Sequence, residues 1–228
     1  MRGHLDLDRQ LAVAEDLDQR VAAYRTLGHQ LVHADRTALR EKPIEQNHIC
    51  IAFPGIKLGH PKRYTLSILS GILGAGMSSR LFQKVREENG LCYSIYTFTA
   101  GHLDVGVAGV YVALGKSTEN QAISLSRQVV EDFARNGPDN GELERTREQI
   151  KANMLMSLES TSSRMQHLGQ NELMLNRVPT PDDIIRELDA VTAGGVTELA
   201  REIFDMKNAS FSVVGQVDEE SVYRELLG

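Results

Sequence analysis

The chain has 228 residues, of which 41% are hydrophobic and 25% charged, with a formal net charge of −6 at pH 7. That balance fits a globular protein with one sizeable core and argues against a general nucleic-acid binder, which usually carries a basic face. No run approaches the ~20 apolar residues of a membrane span, and the first residues, Met-Arg-Gly-His-Leu-Asp-Leu-Asp, lack the apolar core of a signal peptide, so the expected location is the cytoplasm.

Leu7, Leu11, Ala14, Leu17, Val21 and Tyr24 recur at helical spacing among charges, so residues 5–27 are expected to form an amphipathic helix with one stripe in need of cover. His29 and His33 stand four apart and would share a helix face, the geometry of a metal-binding pair. Val32 stands where a His-x-x-Glu-His motif needs its general-base Glu, so the pair reads as coincidence. The polar stretch Lys42–Gln46 leads into an alternating strand, Asn47–Phe53, stopped by Pro54-Gly55. His48 is expected on a strand face. Cys50 and Cys92 form no Cys-x-x-Cys pair and read as buried thiols in strands.

Arg63–Leu73 is expected as the first core helix, with Leu66, Leu69, Ile72 and Leu73 inward. Gly71, Gly74 and Gly76 end it. They follow a helix rather than a strand and precede no Lys-Ser or Lys-Thr, so they fit close packing between two helices and not a phosphate loop. An amphipathic run follows, with a Ser78-Ser79 start and Leu81, Phe82 and Val85 on one side, and Asn89-Gly90 stops it. Cys92–Phe98 is then a strand rich in β-branched and aromatic residues. Gly101–Asp104 reads as a hairpin connection and Val105–Leu114 as a strand deep in the sheet.

Thr118 and Gln121 have capping-box spacing for a helix that buries Ala122, Ser126, Val129, Val130 and Phe133 and ends at Asn136-Gly137-Pro138. A long helix is predicted from Glu142, its charges on a solvated face, broken at Ser160–Ser163. The next helix carries Met165, Leu168, Leu173, Met174 and Leu175, with the methionines expected to fill the core. Thr180-Pro181-Asp182-Asp183 is a strong helix start. Two short helices, a last strand over Ala209–Val217 and a terminal helix over Asp218–Leu227 complete the chain. The order predicts an α+β layer, a mostly antiparallel four-strand sheet with helices packed on one face. Residues 1–40 are expected to be an N-terminal extension or linker, and residues 41–228 one domain.

The stretch GMSSRLFQKVREENGLCYSIY, with EQNHICIAFPGI before it, resembles the signature of the C-terminal homologous domain of the pitrilysin, or insulinase, family of zinc metallopeptidases. Within that family it resembles the mitochondrial processing peptidase branch and its bacterial relatives. The resemblance extends over roughly Glu41 to Val217. It implies a LuxS/MPP-like metallohydrolase fold and a domain that binds extended peptide in a closed chamber. The zinc-binding His-x-x-Glu-His domain faces it, in cis or in trans. It also implies roles for two residues of this chain. Arg86 would hold a substrate carbonyl or carboxylate through its planar fork of donors, and Tyr93 would donate its phenol proton to the oxyanion. None of the seven histidines lies in a His-x-x-Glu-His motif, so no metal or cofactor is expected on this chain and no hydrolysis by it alone. The alternative is a non-catalytic interaction subunit of the same fold. Self-association through the stripe on residues 7–24 is a further expectation.

Overall fold

The computed structural model describes residues 37–227. The helix expected over residues 5–27 and the pair His29 and His33 lie outside the described residues.

Five strands form one sheet: β1 (Thr37–Glu41), β2 (Asn47–Gly55), β3 (Ser94–Gly101), β4 (Gly106–Leu114) and β5 (Ser210–Gly215), in the order β1-β5-β2-β4-β3. All neighbours pair antiparallel except β1 and β5, which are parallel. The α+β class and the mostly antiparallel sheet are as the sequence predicts. The strand not foreseen is β1. Its sequence TALRE is short and largely exposed, and its partner β5 lies about 170 residues downstream, so nothing local marks it.

Seven α-helices follow among the described residues: α1 (Arg63–Gly74), α2 (Glu119–Asn136), α3 (Asn140–Ser157), α4 (Thr161–Leu175), α5 (Pro181–Asp189), α6 (Ala193–Ile203) and α7 (Glu220–Leu227). Between α1 and β3 lies a six-residue π-helix, Phe82–Glu87. Strand side chains alternate between faces, and burial alternates with them. Ile49, Ile51 and Phe53, then Val110, Val112 and Leu114, then Phe211 and Val213 are buried under the helices. His48, Cys50, Ala52, Tyr111 and Ser212 between them are only half-buried. Among the described residues the sheet is therefore a one-sided layer, its second face free of helices.

Two glycines set the approach of α1. A Cβ on Gly71 would stand 2.5 Å from a methyl of Thr146 in α3, the helix–helix contact expected. A Cβ on Gly74 would meet the backbone N of Thr97 in β3 at 2.5 Å, so this glycine packs against a strand instead.

The helix starts are partly as predicted. Thr180 and Asp183 form the capping box of α5, with Pro181 in its first turn. The box expected at Thr118 is absent, because its hydroxyl donates to Leu91 O at 2.8 Å and Gly115 O at 3.1 Å. The long helix α3 starts instead from an Asp139–Glu142 box, two residues before Glu142. Arg147 of α3, read as solvated, donates to Leu188 O at 3.1 Å and Val191 O at 2.7 Å and so ties α3 to the end of α5. Met165 and Met174, read as core filler, are exposed. They lie on α4, in which no residue is buried.

A buried polar cluster closes the end of the sheet where β2 begins and β5 ends. Glu119, 1% exposed, accepts from the Asn47 side-chain amide and from the Tyr223 hydroxyl at 2.6 Å. Lys116 bridges Glu119 at 3.2 Å and Asp218 at 2.7 Å. Asn47 also clasps Gln216, donating to its O at 2.8 Å and accepting from its N–H at 2.7 Å. Burial, and then the bond to Glu119, push the Tyr223 phenol up to about 12.

Candidate functional site at the rim of β3

β3 is one edge of the sheet. Its sequence SIYTFTAG carries no charge and no proline, the usual devices that blunt an edge. Among the described residues no backbone hydrogen bond reaches its outer side. The residues singled out from sequence flank its beginning.

The π-helix arises within the run predicted as an amphipathic helix. Glu88 N–H reaches Gln83 O, five residues back, at 2.9 Å. Val85 is buried beneath it. Gly90, at φ +61°, reverses the chain as expected of a helix stop. Leu91 N–H then donates to Val85 O at 3.0 Å, and buried Leu91 pins the turn to the core. Two residues later, Tyr93 N–H donates to Ala113 O at 2.8 Å and starts the pairing with β4. Arg86 and Tyr93 are thus carried on the two arms of one turn, each arm anchored by a buried neighbour.

Both side chains face solvent. Tyr93 is 61% exposed. The Arg86 guanidinium lies over the Phe82 ring, 4.8 Å from its centroid. Among the described residues neither side chain has a hydrogen bond or an ion pair. Cys92 between them is half-buried. Burial pushes its thiol up to about 11, against a smaller opposing pull from the charge of Arg86. Cys50 is also half-buried and its thiol raised by burial, so neither cysteine is fully buried as expected and neither is an activated nucleophile.

Two residues hold this rim in roles the sequence reading did not assign. Phe82 is the platform under Arg86, and their four-residue spacing was the available signal. Arg80 fixes the start of the π-helix to α3. Its Nε and Nη2 each meet a Glu142 carboxylate oxygen at 2.7 Å, and Nη2 also donates to Gly137 O at 2.9 Å.

The half-buried face of the sheet continues from this rim. Tyr96 stacks on Tyr111 at 4.8 Å between centroids, and the Tyr111 hydroxyl lies 2.6 Å from Nδ1 of His48. His48 is therefore a strand-face residue, as expected. Among the described residues no three His, Cys, Asp or Glu side chains cluster as metal ligands, and no helix is long and apolar enough to cross a membrane.

Residues 12–150 match the family profile described as the peptidase M16 inactive domain. An uncharacterized zinc protease of Bacillus subtilis, YmxG, is 41% identical over 165 residues, covering 72% of this chain and 40% of the relative. An uncharacterized zinc protease of Streptomyces coelicolor is 32% identical over 191 residues, covering 84% of this chain and 41% of the relative. The chain thus spans about two fifths of the length of these curated relatives. Among solved structures, a peptidase M16 inactive domain from Pseudomonas fluorescens matches with a TM-score of 0.72 at 21% identity, over 80% of this chain and 43% of that one. A chain of complex III2 from Candida albicans also matches at 0.72, with 16% identity, over 83% of this chain and 49% of its own length. At these identities the structures establish the fold.

Proposed function

The chain belongs to the peptidase M16 inactive-domain family, and on that premise we propose that it is the substrate-binding, oxyanion-assisting C-terminal domain of a zinc-dependent metalloendopeptidase of the processing-peptidase type. The observation that carries this reading is the pair Arg86 and Tyr93, exposed and without a polar partner among the described residues, on one turn beside an unblunted sheet edge. A cation and a phenol held there by a buried scaffold are available to another molecule.

Peptide hydrolysis on zinc needs an activated water, which the metal supplies, and a base beside it. This chain has no His-x-x-Glu-His motif and no clustered ligand set among its described residues. Those parts belong to a second domain, in cis or in trans, and the relatives' additional length is consistent with one. The work left to this chain is binding and charge stabilisation. An extended peptide lying along β3 finds unpaired backbone groups that take any sequence. Arg86 donates to a peptide carbonyl or carboxylate. Tyr93 donates its phenol proton toward the oxygen that becomes negative in the tetrahedral intermediate.

The test uses the complete enzyme, this chain together with its His-x-x-Glu-His half. Tyr93→Phe is expected to lower kcat by about 10²–10³, the usual cost of one oxyanion donor, and Arg86→Ala to raise KM. Unchanged kinetics in both variants would overturn the catalytic-support reading. A second reading, a non-catalytic interaction subunit, is favoured by one observation only, the apolar outer face of α4.

A further inference from the structure

Six of the ten large apolar side chains that stand exposed among the described residues fall between Leu155 and Met174. Four of them are on α4, and α4 is turned inside out. Ser163, His167 and Asn171, at four-residue spacing, take the half-buried side. There Asn171 donates to His167 O at 2.8 Å, and His167 Nε2 lies 3.3 Å from Pro179 O. Met165, Leu168 and Leu173 are 65%, 50% and 86% exposed. Thr161, Arg164, Met165, Leu168 and Glu172 follow helical spacing and form one stripe along this outer side.

We propose that this stripe is a self-complementary interface, on which a second copy of the chain docks its own α4 antiparallel, with the two-fold axis at Leu168. The charges argue for a second copy over any other occupant. Arg164 lies four residues before Leu168 and Glu172 four residues after it. An antiparallel pair centred on Leu168 therefore sets Arg164 of each helix opposite Glu172 of the other. That gives two equivalent ion pairs flanking an apolar centre, the arrangement a two-fold interface requires. Both side chains are exposed, and neither has an ion pair among the described residues. Gly169, beside the axis, has nothing within 4 Å of where a Cβ would stand, so it leaves room for a second backbone. One 15-residue helix per copy, about 22 Å long, makes a small interface, so the dimer is a weak, concentration-dependent one.

Sedimentation of the full chain across a concentration series tests this. The mass is expected to rise from 25.3 kDa toward twice that value. Arg164→Glu alone and Glu172→Arg alone should each remain monomeric, because each sets like charges opposite one another. The double variant Arg164→Glu with Glu172→Arg should recover the dimer. Mixing the two single variants should give a heterodimer, since one then carries only acids and the other only bases at the paired positions. Gly169→Lys, whose Cβ would have nothing within 4 Å, should also abolish pairing. Unchanged circular dichroism in each variant removes misfolding as the cause. A chain that stays monomeric throughout, or a dimer indifferent to the charge exchange, would overturn the proposal.

Discussion

Two polar regions of this domain are built on opposite terms. Around Glu119, every polar group has been given a partner inside the fold, from Asn47 and Lys116 to Tyr223 and Gln216. At the rim of β3, Arg86 and Tyr93 are held in place by their backbones and by buried Val85 and Leu91, while their polar tips engage no polar group of the described residues. Burying a charge unpaired is costly, so the first region has the signature of a structural clasp. Leaving a cation and a phenol exposed on a turn adds little to the fold, which is what the proposed site requires of the second.

That contrast is open to attack from both ends. The largest effect is expected at Glu119→Ala, which strands the Asn47 amide, the Tyr223 hydroxyl and the Lys116 ammonium around one hole. A loss of about 3–5 kcal/mol in urea unfolding is expected, as for other broken buried charge networks. A loss below about 1 kcal/mol would mean that the cluster is not a clasp. Tyr223→Phe keeps the ring against Phe211 but deletes the hydroxyl that donates to Glu119 and accepts from Asp218 N–H. Its cost should be smaller, about 1–2 kcal/mol, read from the same unfolding curves.

The Arg80–Glu142 fork lies between the two extremes, its side chains 26% and 17% exposed. The Arg80 guanidinium holds the Glu142 carboxyl below its ordinary value of 4.5. A depressed acid stabilises the fold fully above its unfolded pKa, and the contribution fades as pH falls through the lower folded value. Stability should therefore drop by about 1 kcal/mol more in the wild type than in Arg80→Gln between pH 6 and pH 3, discounting for solvent screening. Equal slopes in the two proteins would remove the fork from the scaffold of the rim. The smallest effect is expected at the rim itself. Arg86→Ala and Tyr93→Phe should each change unfolding free energy by no more than about 0.5 kcal/mol. A larger loss in either would make it a structural residue and erase the contrast.

What could be read from the chain followed the range of the forces involved. The stop at Asn89-Gly90 and the switch to a strand were legible, because Gly90's positive φ and the β-branched run after it are local properties. So was the start of α5, fixed within four residues by Thr180, Pro181 and Asp183. β1 was not, since its stability comes from a parallel partner at the far end of the chain. The π-helix was hidden because Leu81, Phe82 and Val85 fit an α-helical pattern equally well. In α4 the periodicity was visible, but a stripe does not say whether it faces inward. Met165 and Met174 were assigned to the core on composition, while Ser163, His167 and Asn171 in fact took the inner side. Arg86 and Tyr93 came from resemblance to a family signature. Spacing alone would have left them an ordinary helix-end cation and a strand aromatic.

The order of the sheet also sets a timetable for the ribosome. β5, last of the strands to be made, lies between β1 and β2, the first two. Until residues 210–215 emerge, β1 has no neighbour in the sheet, and β2 is paired on one side only. Closing such distant contacts late makes folding slow, and the unfinished sheet presents an open edge until they form. A chain released just before Ser210 should therefore lose two strands, with the amides of Thr37–Glu41 exchanging as freely as if they had never folded.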